Sequence, residues 1–303
     1  MEEKRIAVPV ATLWTTFDSP REIDSIILGK ETMYENWLSQ LTYDERLELC
    51  SKNLVQSQAL FNDPVLILEE TNGWSKVILL DQPTVKAEAG YPGWIPSCQL
   101  SSVQSEVGTQ KVRVKRNTAP LFNANHELLF QLSFGTTLVV KQAYEHFLHV
   151  DTPLGEAVIK QADIEWKSRE KDGNQLVDSA RQFIGLPYLW GGMSGFGYDC
   201  SGFVYAMHKA SAIIIPRDAS NQVQTGIEIQ DEDVAVGDLL YFAHDKGEGA
   251  VHHVAMYAGD GEMIHAPKTG KAVEQISFHG TEYEQEYCAT RRFTSKALWR
   301  DFL

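Results

Sequence analysis

The stretch Asp199-Cys200-Ser201-Gly202-Phe203-Val204 decides how this chain reads. It follows Tyr188-Leu189-Trp190-Gly191-Gly192-Met193-Ser194-Gly195-Phe196-Gly197, too rich in glycine for a helix and suited to bringing backbone close to a ligand. Beyond it, Phe203, Met207 and Ala210 recur at helical spacing, so a helix is expected over 201–212 with Cys200 as its cap. A helix start offers unpaired N–H groups and partial positive charge, which favour a thiolate over a thiol. The Cys200 N–H is also suited to an oxyanion hole.

A nucleophilic thiol needs a base on a rigid element. His253-Val254-Ala255-Met256-Tyr257 reads as a strand with His253 on the face opposite Val254 and Met256. Gly259-Asp260-Gly261 reads as a three-residue turn into Met263-Ile264-His265. That register sets Ala255 opposite His265 and makes His253 the diagonal neighbour of His265, about 7–8 Å away at the backbone. His253 then takes the thiol proton and His265 fixes its tautomer. Taken singly, a cysteine is most often a small buried hydrophobe and a strand histidine a satisfied polar group. Their conjunction with a glycine-rich approach points to a cysteine nucleophile. His252 falls on the other face of the strand. With no C-x-x-C or H-x-x-x-H pair, neither a metal nor any other cofactor is expected.

The remainder of the composition bounds the partners. A chain of 303 residues, 43% hydrophobic and 22% charged, is ordinary globular protein long enough for two or three domains. Its formal charge of −14 argues against nucleic acid or an anionic membrane surface. Cys50, Cys98, Cys200 and Cys288 show no framework spacing, and a free thiol favours a reducing compartment. The opening Met1-Glu2-Glu3-Lys4-Arg5 lacks the apolar run of a signal peptide, so a cytoplasmic location is expected, or an extracellular one if a leader was removed.

Residues 5–170 read differently, as short β-rich runs. Val65-Leu66-Ile67-Leu68, Trp74-Ser75-Lys76-Val77 and Gly93-Trp94-Ile95-Pro96 echo Leu138-Val139-Val140, Phe147-Leu148-His149-Val150 and Gly155-Glu156-Ala157-Val158, suggesting two small barrels. The first carries an insertion at about 19–57 with helical spacing in 22–27 and 37–41, and Thr42 with Glu45 forms a capping box. A charged linker at 170–174 leads to a helix expected over 175–184, capped by Asn174 and stopped by Gly185-Leu186-Pro187.

At the Cys200 and histidine segments, and at Pro187-Tyr188-Leu189-Trp190-Gly191-Gly192, Pro216-Arg217-Asp218-Ala219-Ser220-Asn221-Gln222 and Val236-Gly237-Asp238-Leu239, the chain resembles the NlpC-type bacterial cell-wall cysteine peptidases, a papain-like family. With two bacterial SH3-like barrels ahead of it, it looks most like the YkfC-type γ-D-glutamyl-L-diamino acid endopeptidases. The resemblance implies an α+β fold: a first SH3-like domain with its helical insertion over 1–105, a second over 106–170 and the peptidase over 171–303. It implies Cys200, His253 and His265 as the catalytic trio. The implied substrate is a murein peptide with free N-terminal L-Ala, cut between γ-D-Glu and meso-diaminopimelate or Lys during wall-peptide recycling.

Family positions assign substrate contacts to Tyr188, Trp190, Asp199, Ser201 and Asp218, with Asp63 and Tyr91 supplied by the first barrel, which walls one end of such sites. Either Asp63 or Asp218 would meet the free amine. Arg217 reads as a partner for the substrate carboxylate or as a surface ion pair, and Tyr91 and Trp94 have a barrel-core alternative. Relatives usually carry Glu at Asp63 and Ser at Ala219. The same scaffold also leaves open a peptidoglycan-binding protein without turnover, or an amidase or acyltransferase.

Overall fold

The computed structural model describes residues 2–102, 110–166 and 172–294. The expected domain boundaries at 105/106 and 170/171 lie outside these residues. The chain forms two compact units. One takes in 2–81 and most of 89–166 with Met193–Phe196; the other takes in Gln82–Glu88, 172–192 and 197–294. Among the described residues no helix is long and apolar enough to cross a membrane.

The first unit is built twice on one plan. Strands β1 (Glu2–Ile6), β2 (Val10–Trp14), β3 (Val55–Leu60), β4 (Pro64–Thr71), β5 (Trp74–Leu79), β6 (Tyr91–Pro96) and β7 (Leu100–Ser102) form a sheet in the order β3-β2-β6-β5-β4-β1-β7. Strands β8 (Lys111–Val114), β9 (Thr118–Asn123), β10 (Leu128–Ser133), β11 (Thr137–Ala143), β12 (Phe147–Thr152), β13 (Gly155–Lys160) and β14 (Ile164–Trp166) repeat that order as β10-β9-β13-β12-β11-β8-β14. Alternation drives both: Val65, Ile67, Val77 and Leu79 turn inward to one apolar cluster, and Leu138, Val140, Leu148 and Val150 to the other.

The insertion between β2 and β3 is a short 3-10 turn (Glu22–Ile27), α1 (Tyr34–Gln40) and α2 (Tyr43–Ser51). Thr42 and Glu45 form the expected capping box at the start of α2. Asp24 is fully buried, and its carboxylate accepts from Trp37 Nε1 at 2.9 Å and from the Arg21 guanidinium at 3.0 Å, which offsets the cost of burying the charge.

The second unit sets helices against a mixed-length antiparallel sheet. Its elements are α3 (Gly173–Arg181), α4 (Cys200–Lys209), α5 (Ala219–Gln222), β15 (Ile227–Ile229), β16 (Leu239–Ala243), β17 (Val251–Gly259), β18 (Glu262–His265), β19 (Glu274–Ser277), α6 (Glu282–Glu286) and β20 (Tyr287–Arg292). The sheet order is β15-β20-β16-β17-β18-β19, and α3 and α4 pack on each other and on β17. Helix α3 starts two residues earlier than expected, because Asp172 rather than Asn174 is the cap and makes a reciprocal box with Gln175. It also ends at Arg181, short of the expected 184.

The β17–β18 hairpin carries the histidines. Met256 pairs with Ile264 and Tyr257 with Met263, the register expected, yet the turn is shorter. Asp260 and Gly261, with φ of 52° and 73°, make a two-residue left-handed turn, and a bulge between Tyr257 and Gly259 absorbs the difference.

Candidate active site

Helix α4 begins one residue earlier than expected: Asp199 is its cap and Cys200 its first residue. At that position the Cys200 N–H has no carbonyl four residues back inside the helix, so it stays available to a substrate oxygen. The Asp199 carboxylate accepts from Gly202 N at 2.7 Å, Gly191 N at 3.0 Å and the Ser201 hydroxyl at 3.3 Å. It thereby ties the glycine-rich loop to the helix start that presents the thiol.

That carboxylate is also gripped from the other side. Arg217 donates Nη1 to Asp199 Oδ1 at 3.1 Å and Nη2 to Oδ2 at 2.6 Å, and a third bond from Nη1 reaches Ser201 Oγ at 2.9 Å. With Arg217 only 1% exposed, the sequence reading of a surface ion pair is corrected: the pair is buried and bidentate. Asp199 and Ser201, expected at the substrate, are held in this internal network. Gln222 closes it by donating to Pro216 O at 2.8 Å.

The hairpin brings its two imidazoles together. His253 Nε2 and His265 Nδ1 lie 2.7 Å apart, with His253 3% exposed and His265 fully buried. Because Nε2 is engaged, Nδ1 is the nitrogen of His253 left to exchange a proton with a thiol. The strand itself reaches that thiol: the Val254 N–H, next in chain to His253, points at the Cys200 sulfur together with the Ser201 N–H. His252 faces the other way, stacked on His244 at 4.1 Å and paired with Glu286 at 3.2 Å.

Burial governs the protonation states. Desolvation and the neighbouring Asp199 charge push the Cys200 thiol up to about 12, against the two N–H bonds and Arg217. This reverses the expected direction, since the helix start does not outweigh dehydration here. Desolvation, with His265 and His252 beside it, holds His253 well below its ordinary value. His265 is lowered to about 4 by desolvation alone. Both directions favour a neutral thiol and a neutral imidazole, although Cys200 itself is only partly buried.

Tyr283, which carries no signal in the sequence, packs its ring on His253 at 5.2 Å and on His265 at 5.1 Å. Of the other expected contacts in this unit, Tyr188 is buried and Trp190 half-buried in the loop before Cys200. Asp218 precedes α5 and pairs with Lys86 at 3.5 Å. Lys86 belongs to the 82–88 segment, which also accepts the Arg217 N–H on Pro83 O at 2.9 Å. In the first unit, Asp63 Oδ2 accepts from Leu60 N at 2.9 Å, bracing the turn at Asn62. Tyr91 is 1% exposed within the apolar cluster of the first sheet, the core placement weighed above, and Trp94 lies close by at 9%.

A helix-borne cysteine beside a strand carrying a bonded histidine pair defines a papain-like cysteine peptidase. Residues 185–292 match the NlpC/P60 family and residues 114–166 the YKFC SH3b2 domain. The chain is 42% identical over 288 residues to the gamma-D-glutamyl-L-lysine dipeptidyl-peptidase of Bacillus subtilis strain 168, covering 95% of this chain and 97% of the relative. It is 37% identical to the protein of that name from Bacillus cereus, over 96% and 92% of the two chains. The crystal structure of an NlpC/P60 family protein from Bacillus cereus ATCC 10987 superposes with a TM-score of 0.92 at 36% identity, covering 96% of this chain and 99% of that one. The chain belongs to the NlpC/P60 family, and the fold is α+β with an SH3b-like domain ahead of the peptidase.

Proposed function

We propose that this peptidase hydrolyses the bond between γ-D-Glu and the L-diamino acid of murein peptides bearing a free N-terminal L-Ala, in the recycling of wall peptides inside the cell. Cys200 is the nucleophile, His253 its base and His265 the residue that orients His253. Cys200 Sγ attacks the γ-carbonyl as His253 Nδ1 takes the thiol proton. The amine of the diamino acid then leaves with that proton, and water hydrolyses the thioester. The Cys200 N–H stabilises the oxyanion.

The observation that carries this reading is the His253–His265 bond on a strand whose next N–H points at the Cys200 sulfur. The two Bacillus relatives support the substrate class, since each is named a gamma-D-glutamyl-L-lysine dipeptidyl-peptidase. That name favours Lys over meso-diaminopimelate as the third residue. Asp218 is proposed to meet the amine and Tyr188 and Trp190 the peptide, with Asp199 and Ser201 shaping the site through their hydrogen bonds.

The test is a panel of L-Ala-γ-D-Glu-L-Lys, its meso-diaminopimelate counterpart, the N-acetylated peptide and a muramyl-linked peptide, with products followed by mass spectrometry. Cleavage restricted to the free-amine peptides and abolished by Cys200→Ala is expected. Equal cleavage of the acetylated peptide would remove the free-amine requirement. Binding to sacculi with no turnover of any peptide would favour a wall-binding module.

A further inference from the structure

For His253 Nδ1 to accept the thiol proton, its own proton must sit on Nε2 and be donated to His265 Nδ1 across their 2.7 Å contact. His265 is then forced to carry its proton on Nε2. Among the described residues that atom is buried and has no hydrogen-bond partner. An unmet buried N–H is costly, and costlier when the ring turns cationic during turnover. One carboxylate faces it: Glu274 Oε1 lies 3.5 Å from His265 Nε2. The placement is built into the sheet, because Glu274 on β19 is the direct register partner of His265 on β18.

We propose that Glu274 is a positioning residue for the peptidase, the fourth member of a relay Cys200–His253–His265–Glu274. Its carboxylate closes on the His265 Nε2–H in turnover, selects the tautomer that leaves His253 Nδ1 free, and stabilises the charge that develops on the imidazole pair. Glu274 is 41% exposed on its side chain, so it has the freedom to cover the remaining gap. The other groups around the pair do not offer this service. Tyr283 presents its ring to both imidazoles, Lys268 acts on His253 with positive charge, His252 faces the other side of the strand, and Cys200 lies at the opposite end of the relay.

This proposal rests on the catalytic reading above, and its test separates the two. Wild type, Glu274→Gln, Glu274→Asp and Glu274→Ala are compared for kcat and KM on L-Ala-γ-D-Glu-L-Lys, for the pH dependence of kcat/KM, and for alkylation of Cys200 by iodoacetamide. In Glu274→Gln kcat is expected to fall about 10-fold or more with KM little changed. Losing the negative charge makes the imidazolium harder to form, so the acidic limb of kcat/KM moves to lower pH and alkylation at neutral pH slows. Glu274→Asp restores part of each. An unaltered pH profile and alkylation rate, or equal losses in all three variants tracking a lower melting temperature, would overturn the relay. If wild type cleaves no peptide, the catalytic reading fails instead, while the alkylation comparison still reports on Glu274.

Discussion

At the scale of single residues, desolvation is the largest influence on the thiol and both imidazoles. The raised Cys200 thiol and depressed His253 imidazole both favour the neutral forms, so thiolate is expected to grow in as pH climbs toward the thiol's own range. The rate of Cys200 alkylation by iodoacetamide is expected still to be rising between about pH 7 and about pH 9. A plateau reached in the acid range would reveal a standing thiolate–imidazolium pair. The buried Arg217–Asp199 pair is the second residue-scale device. Arg217→Met strands the Asp199 carboxylate, and denaturant unfolding should show a loss of about 3–5 kcal/mol, partly recovered in the Asp199→Asn/Arg217→Met double variant. The place of Cys200 at the start of α4 and the meeting of His253 with His265 were legible from helical spacing and strand alternation. Arg217 and Tyr283 were not, since each acts through a segment remote in sequence, and hydrophobic periodicity says nothing about which charge is folded inward.

At the scale of elements, local signals decided what was legible. The Thr42–Glu45 box needs only four residues and is present as read. The true start of α3 was also written locally, as Asp172 with Gln175 three positions on, but Asn174 offered a rival cap with no box partner. The seat of that helix is long-range. A Cβ added at Gly173 would stand 1.7 Å from the Val236 carbonyl oxygen, and Gly237 opposite it has φ of +95°. Gly173→Ala must push α3 off the turn before β16, and thermal unfolding should register about 1–3 kcal/mol of destabilisation. A variant as stable as the parent would mean that contact is slack. The β17–β18 turn teaches the same lesson: its composition announced a hairpin, whereas the bulge that keeps Met256 opposite Ile264 answers to core packing on both flanks.

At the scale of the whole molecule, duplication was legible from three echoing strand motifs, and the structure extends it to seven strands in one shared order. The segment Gln82–Glu88 was not legible: it lies in the β5–β6 connection yet packs with α5 and the peptidase unit through Pro83 and Asn221. Nothing in its composition marks that allegiance. The peptidase unit also carries a global pH dependence. His208 and His265 are each lowered to about 4 and His253 lies well below its ordinary value, so unfolding lets all three take up protons. A depressed folded pKa contributes stability that is full above the unfolded value of about 6.5 and is lost as pH falls toward the folded one. The urea midpoint should therefore decline between about pH 6.5 and about pH 4, and less steeply in His208→Gln. A midpoint flat across that window would show that the histidines are not neutral and buried in solution.

The central claim is that Cys200 becomes acylated by the dipeptide during turnover. Rapid acid quench of the enzyme with L-Ala-γ-D-Glu-L-Lys, followed by intact-mass and peptide mapping, tests it directly. An adduct of the mass of the L-Ala-γ-D-Glu acyl group on the peptide containing Cys200, absent from Cys200→Ala, is expected. Continued hydrolysis by Cys200→Ala, or an adduct mapped to another residue, would contradict the account.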